Sequence, residues 1–268
     1  MIAARQLITR MVEKVWGRTV LPAAFADPGG KSIGELWFEP PPELPQILVK
    51  YLFTSEKLSV QVHPSDDLAL PGEAGKEECW LVLDAAPGAR LAIGFENTLE
   101  IDEIRSAALD GSIEHLLRWH PASAGDLFYL PAGTVHAIGA GLTLIEIQQN
   151  SDTTFRFYDY GRPRELHLER GLAVLDPSPY DDAHRSTIAA RGQALIDGPH
   201  FRFHRIEGKP DDETLAAFAA PLMALPIAGK IADKTGAVCA APGECLLAMA
   251  LDELDFGAGQ ITLLVSAA

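Results

Sequence analysis

Five polar side chains at strand-like positions could do chemistry in this sequence. Gln61 and His63 stand in Gln61-Val62-His63-Pro64, at the end of a β-rich run. In an extended chain residues i and i+2 share a face, about 6.5–7 Å apart along the backbone, so both can converge on one point while Val62 enters the opposite side. Taken alone, the pair reads as hydrogen-bonded groups at the rim of a barrel. The run from Gly75 to Leu83, if extended, puts Lys76, Glu78 and Trp80 on one face and Glu77, Cys79 and Leu81 on the other. An ammonium and a carboxylate facing inward are costly to bury unless paired, so the plain account of Lys76 and Glu78 is an ion pair at the strand start. Cys79 points away from Glu78 and reads as a small core residue. A third run, Gly125 to Leu130, enters a Pro131-Ala132-Gly133 turn and delivers His136. Two histidines, a carboxylate and a neutral amide oxygen, each from a separate strand or strand end, suit a divalent cation with open positions for water or substrate. His115, His120, His167, His184, His200 and His204 show no ligand spacing, and Cys239 and Cys245 have no histidine nearby.

Elements must bring these residues together, and most read as short strands. Ile47 to Phe53 and Lys57 to Val62 are β-rich runs split by Thr54-Ser55-Glu56, the spacing of a hairpin. Further runs follow at Cys79 to Leu83, Leu91 to Phe95, Asp126 to Leu130, Leu142 to Gln149 and Thr153 to Tyr160, separated by Gly- and Pro-rich turns. Many short strands with such punctuation predict a sandwich or barrel. Between Glu100 and Trp119 the apolar spacing turns helical and is interrupted at Asp110-Gly111, which predicts two short helices. Arg164 to Val174 looks helical and ends at Asp176-Pro-Ser-Pro, a candidate boundary. Strand-like alternation returns at Phe201 to Glu207 and near the C-terminus.

Composition narrows the function classes. The 268 residues are 47% hydrophobic and 22% charged, an ordinary globular balance. The net charge of −15 disfavours binding to nucleic acid or anionic lipid and leaves an anionic small substrate only where cations are concentrated locally. Three cysteines, an odd number, fit a reducing compartment such as the cytoplasm better than a disulfide framework. No run approaches the roughly 20 apolar residues that span a bilayer, and the N-terminus has no secretory pattern. The oligomeric state is left open.

The runs KLSVQVHP, GKEECWLVLDA, FYLPAGTVHAIGAG and LIEIQQNSDTTFRFYDYGR resemble the signature segments of type I mannose-6-phosphate isomerases of the short bacterial form, metal-dependent enzymes of the cupin superfamily. The resemblance runs over roughly residues 14–170, is most specific from Leu48 to Arg162, and includes Lys14-Val-Trp-Gly17 and Ile33-Gly-Glu-Leu-Trp37. It implies a β-dominated cupin, a jelly-roll sandwich or barrel, with residues 1–165 as a metal-binding domain carrying a helical insert near 100–119. Residues 166–268 would form a helical connector and a smaller, degenerate cupin-like β domain. It further implies interconversion of mannose 6-phosphate and fructose 6-phosphate, with one divalent ion, zinc above others, held by Gln61, His63, Glu78 and His136. Lys76 and Arg156 are then the active-site and substrate-binding cations. Glu77 stands where the family usually has Thr or Pro, and the C-terminal third carries only a faint likeness.

Aldose–ketose isomerisation moves a proton between neighbouring carbons through an enediolate, so a cation, a fixed positive charge and an acid/base must meet. Arg156, which shares strand parity with Tyr158, supplies fixed charge and no base. Lys76 suits either role. Glu146 is a further shuttle candidate but reads more naturally as the partner of a cationic neighbour, and Asp152 and Asp159 as turn or ion-pair residues. Lys57 and Arg162 are weaker phosphate candidates at the rim. Two alternatives fit the same metal set: a cupin dioxygenase with non-haem iron, and a sugar-binding cupin without catalysis.

Overall fold

A computed structural model describes residues 4–188 and 194–268. The architecture is three large β-layers, a small three-stranded sheet (Cys239–Ala240, Ile231–Asp233 and Leu254–Asp255) and flanking helices, and strand parity decides what each large layer touches. The middle layer is a seven-stranded sheet in the order Arg185–Thr187, Asp126–Leu130, Glu78–Ala85, Leu142–Gln149, Ile47–Phe53, Ile33–Phe38 and Thr9–Arg18. A five-stranded sheet, Phe155–Tyr158, Val60–Val62, His136–Ile138, Arg90–Phe95 and Leu117–Pro121, covers its front. A six-stranded sheet that includes Leu222–Ala228, Ile261–Ala267 and Phe201–Glu207 covers its back. All the pairings between these strands are antiparallel.

Alternation along the central strands is strict. Trp80, Val82, Leu52, Leu142 and Leu144 point forward and pack on Leu91, Ile93 and Ile138 of the front sheet. Cys79, Leu81, Val49, Tyr51, Ile145 and Ile147 point backward into a larger core with Phe203, Met223, Leu225, Leu263 and Val265. Cys79 is thus the buried core residue its parity predicts. The outer face of the front sheet is sealed by two helices, Ile101–Asp110 and Leu168–Val174, through Ile104, Ala107, Leu172 and Val174.

Some expectations change. Ile47–Phe53 and Val60–Val62 do not form a hairpin: they belong to the middle and front sheets, and the chain between them crosses the sandwich, with Thr54 Oγ1 donating to Gly139 O at 2.8 Å. Loop length alone cannot distinguish the two connections. The second helix expected before Trp119 is a single 3₁₀ turn, Ser112–His115, after which Leu117 already pairs with Phe95. The strand Arg5–Gln6 joins the rear sheet through Leu246 and Leu247, while Arg185–Thr187 returns to the middle sheet, so the two ends of the chain are interleaved. No helix among the described residues is long and apolar enough to cross a membrane.

Candidate metal centre

The front sheet sets Arg156, Gln61 and His136 in one cross-strand row, because Gln61 pairs with both of the others. His63 follows two residues after Gln61 on the same face. The Pro131-Ala132-Gly133 turn is tied back to this segment by Gly133 N donating to His63 O at 2.8 Å, with Gly133 at φ +88°, a conformation glycine adopts without strain. Across the gap, the middle sheet presents Glu78. His63, Glu78 and His136 are all buried, and one ligand atom from each lies within 4.8 Å of the others.

Hydrogen bonds fix both imidazoles in one tautomer. His63 Nδ1 donates to Thr153 O and His136 Nδ1 to Thr134 O, each at 2.8 Å, which leaves both Nε2 lone pairs directed toward Glu78, at 3.6 and 3.5 Å from its oxygens. Burial, reinforced by the Lys76 ammonium, pushes His63 well below its ordinary pKa; burial also lowers His136, against the pull of Glu78. Both rings are therefore neutral near pH 7, the form that ligates a metal. Burial alone would raise the Glu78 pKa, but Lys76, through its charge and its hydrogen bond, and Lys50 behind it lower the pKa and hold the carboxyl ionised.

Three acceptor atoms thus converge on one point, and Glu78 Oε1 has no hydrogen-bond partner although it is buried. Such convergence is unfavourable unless a positive charge sits among the acceptors. Lys76 supplies part of it: its Nζ lies 3.1 Å from His63 Nε2 and forms an ion pair with Glu78. Gln61 completes the ring, its Nε2 3.3 Å from His136 Nε2 and its Oε1 accepting from Ser59 Oγ at 3.0 Å. The donor set of two imidazoles and a carboxylate fits a divalent cation; the Gln61 amide turns its nitrogen, not its oxygen, toward His136.

A cavity of about 280 Å³ opens onto this centre, lined by Gln61, Lys76, Arg156 and Glu146 and walled by Trp16, Trp37, Leu52 and Ile138. Six of its lining residues are cationic (Arg10, Lys14, Lys50, Lys76, Arg156, Arg164) against three acids, Glu35, Glu146 and Asp152, so it is positive in a chain of net charge −15. A larger open groove of about 1040 Å³ near Trp119 and Gly139 holds none of the five polar residues the sequence singled out or Arg156. Arg156 is half-buried; desolvation, then its neighbour Arg164, lowers its pKa from a value high enough to leave it charged. Arg164 is itself held by Asp159 at 2.5 and 2.7 Å. Lys57 and Arg162 are engaged at the rim with Glu114 and with Glu56 and Asp159.

Sequence reasoning had no role for Lys50, Arg10 or Arg164. Lys50 is buried in the middle of Ile47–Phe53 and pairs with Glu146 at 2.7 Å, and Trp80 Nε1 donates to the same carboxylate at 3.0 Å. Burial opposes the Lys50 charge, but Glu146, Glu35 and Glu78 outweigh it and raise its pKa above the usual lysine value. Glu146 is thus the structural partner its position suggested. The signal was available: a lysine inside ILVKYLF has no reason to be there unless a carboxylate or a ligand meets it.

No protein-family model matches the sequence. A mannose-6-phosphate isomerase of Streptococcus mutans is 40% identical over 170 residues, covering 59% of this chain and 54% of that protein. The crystal structure of a mannose 6-phosphate isomerase from Bacillus subtilis superposes with a TM-score of 0.82 at 25% identity, over 99% of this chain and 100% of that one. The chain is similar to the mannose-6-phosphate isomerases, in sequence over part of its length and in fold over nearly all of it. A zinc-bound mannose 6-phosphate isomerase shares the fold more distantly, at TM-score 0.72 and 14% identity. In sequence the chain spans about half the length of the Streptococcus mutans protein, whereas in shape the likeness covers the whole of the Bacillus subtilis structure.

Proposed function

We propose that this protein is a metal-dependent aldose–ketose isomerase that interconverts mannose 6-phosphate and fructose 6-phosphate through an enediolate. The observation that carries the reading is the convergence of His63, Glu78 and His136 on one point, next to Gln61 and Lys76 in the wall of a positively charged cavity. Gln61, His63, Glu78 and His136 would hold one divalent ion, zinc by analogy with the zinc-bound relative of the same fold. Such an ion polarises the oxygens of an open-chain sugar and stabilises charge that develops on them.

The remaining work falls to the chain. Arg156 faces the cavity beside Gln61 and offers a permanent guanidinium to phosphate or enediolate oxygens. Lys76 Nζ, between the carboxylate and the cavity, can take up or return a proton at the sugar carbons. Trp16, Leu52, Leu58 and Ile138 form an apolar wall that limits water around the reacting carbons. All these residues precede residue 165; residues 1–165 make up the metal-binding unit and 166–268 the connector and rear β unit, save that Arg5–Gln6 joins the rear sheet and Arg185–Thr187 the middle one. Three free cysteines, two of them buried, suit the reducing cytoplasm.

The direct test is a coupled assay of mannose 6-phosphate conversion, run beside unphosphorylated mannose. Conversion of the phosphate ester with little turnover of the free sugar is expected. A metal-loaded protein that converts neither, or that consumes oxygen with a substrate, would refute the reading.

A further inference from the structure

Lys76 and Glu78 point into the site from a segment whose middle residue, Glu77, faces the other way. Glu77 is buried on the back of the middle sheet, where its carboxylate accepts a hydrogen bond from the Tyr129 hydroxyl. Burial, then the Glu77 carboxylate, raises the Tyr129 pKa, so the phenol stays a donor. The backbone of Glu77 is held as well: its N–H donates to Gln149 Oε1 at 2.9 Å and its carbonyl accepts from Gln149 N at 3.0 Å. Gln149 Nε2 continues to Asp66 Oδ1 at 3.0 Å, the same oxygen that accepts from Gly75 N at 2.7 Å. A Cβ at Gly75 would come within 2.5 Å of Asp66 N, so this approach requires glycine.

The rear sheet closes the arrangement. Phe201 packs edge-on against Tyr129 at 6.4 Å between ring centres, His184 meets the same ring at 5.5 Å, and His200 Nδ1 lies 3.8 Å from Asp66 Oδ2. Tyr180 OH lies 2.7 Å from Tyr129 O and 2.9 Å from His184 O, and its one proton serves one of the two carbonyls at a time. Residues of the second half of the chain therefore fix the phenol that holds Glu77.

We propose that Glu77 and Tyr129, backed by Phe201, form a positioning clamp that sets the rotation of the Lys76-Glu77-Glu78 segment and so aims the Lys76 ammonium and the Glu78 carboxylate into the metal centre. The clamp gives the rear sheet a part in the chemistry without contact with substrate. It works through a hydrogen bond, not through the charge of Glu77, because that charge faces away from the cavity. The proposal rests on the isomerase reading for its kinetic consequence only; its consequence for metal binding stands by itself.

The test compares Tyr129→Phe, Glu77→Ala and Glu77→Gln. Zinc affinity is measured by chelator competition, and kcat and KM by the coupled assay on zinc-loaded protein. Outer-sphere partners of metal ligands are typically worth about 10- to 100-fold in metal affinity or activity. Tyr129→Phe and Glu77→Ala are expected to lose about tenfold in zinc affinity and in kcat with KM little changed, whereas Glu77→Gln, whose amide oxygen still accepts from the phenol, retains most of both. Unchanged affinity in Tyr129→Phe would overturn the clamp, as would Glu77→Gln falling as far as Glu77→Ala, which would assign the effect to charge. If the parent protein binds zinc but does not isomerise the sugar phosphate, the isomerase reading fails while the affinity comparison still decides the clamp.

Discussion

The two faces of the seven-stranded sheet are built from the same strands and differ in almost every property. On Leu142–Gln149, Glu146 and Gln148 look forward while Ile145 and Ile147 look back. On Ile47–Phe53, Lys50 and Leu52 look forward while Val49, Tyr51 and Phe53 look back. Apart from Glu77 and the groups that hold it, the back is an apolar core, whose burial dominates stability at roughly 25 cal/mol per Å². The front carries buried charges set in partnered arrays. One row runs Arg10, Trp37, Lys50, Glu146, Trp80 and Phe128 across the sheet, with cation–π contacts of 4.4 and 5.3 Å on Trp37 and the 2.7 Å Lys50–Glu146 pair at its centre. A period of two lets one strand set serve packing and chemistry at once, and the front face gives up apolar burial for function.

Substitutions that separate the faces put this contrast at risk. The largest effect is expected for His136→Ala on the front: loss of tight metal binding and of activity with the fold retained, read by metal analysis and circular dichroism. A variant that keeps one tightly bound ion would show that the centre lies elsewhere. Next, Lys50→Met strands the Glu146 carboxylate and should cost about 3–5 kcal/mol in denaturant unfolding, while adding Glu146→Leu should restore much of it. Equal stability of the single and double variants would mean the pair is not a buried unit. On the back, Leu263→Ala should lower stability by about 2–5 kcal/mol with kcat per folded molecule unchanged. A matching fall in kcat would break the division between the faces. Arg156→Ala should keep its metal and lose on the order of 10²-fold in turnover, about 2.7 kcal/mol of transition-state stabilisation; parent-level turnover would remove Arg156 from the chemistry.

The smallest effect concerns the edge of the molecule. Arg5 holds Glu43 through two hydrogen bonds of 2.8 Å, which bring the Glu43 pKa from 4.5 to about 2. A carboxylate depressed by folding stabilises above its unfolded pKa, and that contribution fades as pH falls from about 4.5 toward 2. Glu43→Gln should therefore flatten a small part of the acid limb and leave the melting temperature near pH 7 slightly lower. An unchanged acid limb would show the pair to be inert.

Much of the site was legible because it obeys local rules. The i, i+2 spacing of Gln61 and His63, the alternation that sends Glu78 forward and Cys79 back, and the turn before His136 each depend on a few neighbouring residues, and the structure brings His63, Glu78 and His136 together. What escaped the sequence depends on distant partners. Whether Val60–Val62 folds back on Ile47–Phe53 or crosses to the other sheet is decided by pairing with His136 and Phe155, far along the chain. That Arg5–Gln6 ends in the rear sheet is decided by Leu246 and Leu247. The cavity cations Arg10, Lys50 and Arg164 converge only once three strands and a loop have been placed around it.

The proposed isomerisation requires a single ion at the His63, Glu78 and His136 centre. The most direct measurement is turnover of mannose 6-phosphate against bound metal, with the protein stripped by chelator and reloaded stepwise with zinc. No activity is expected in the stripped protein, with a linear rise that levels off at one ion per chain. Full turnover by the stripped protein, or a fully loaded protein that leaves the sugar phosphate untouched, would contradict this expectation.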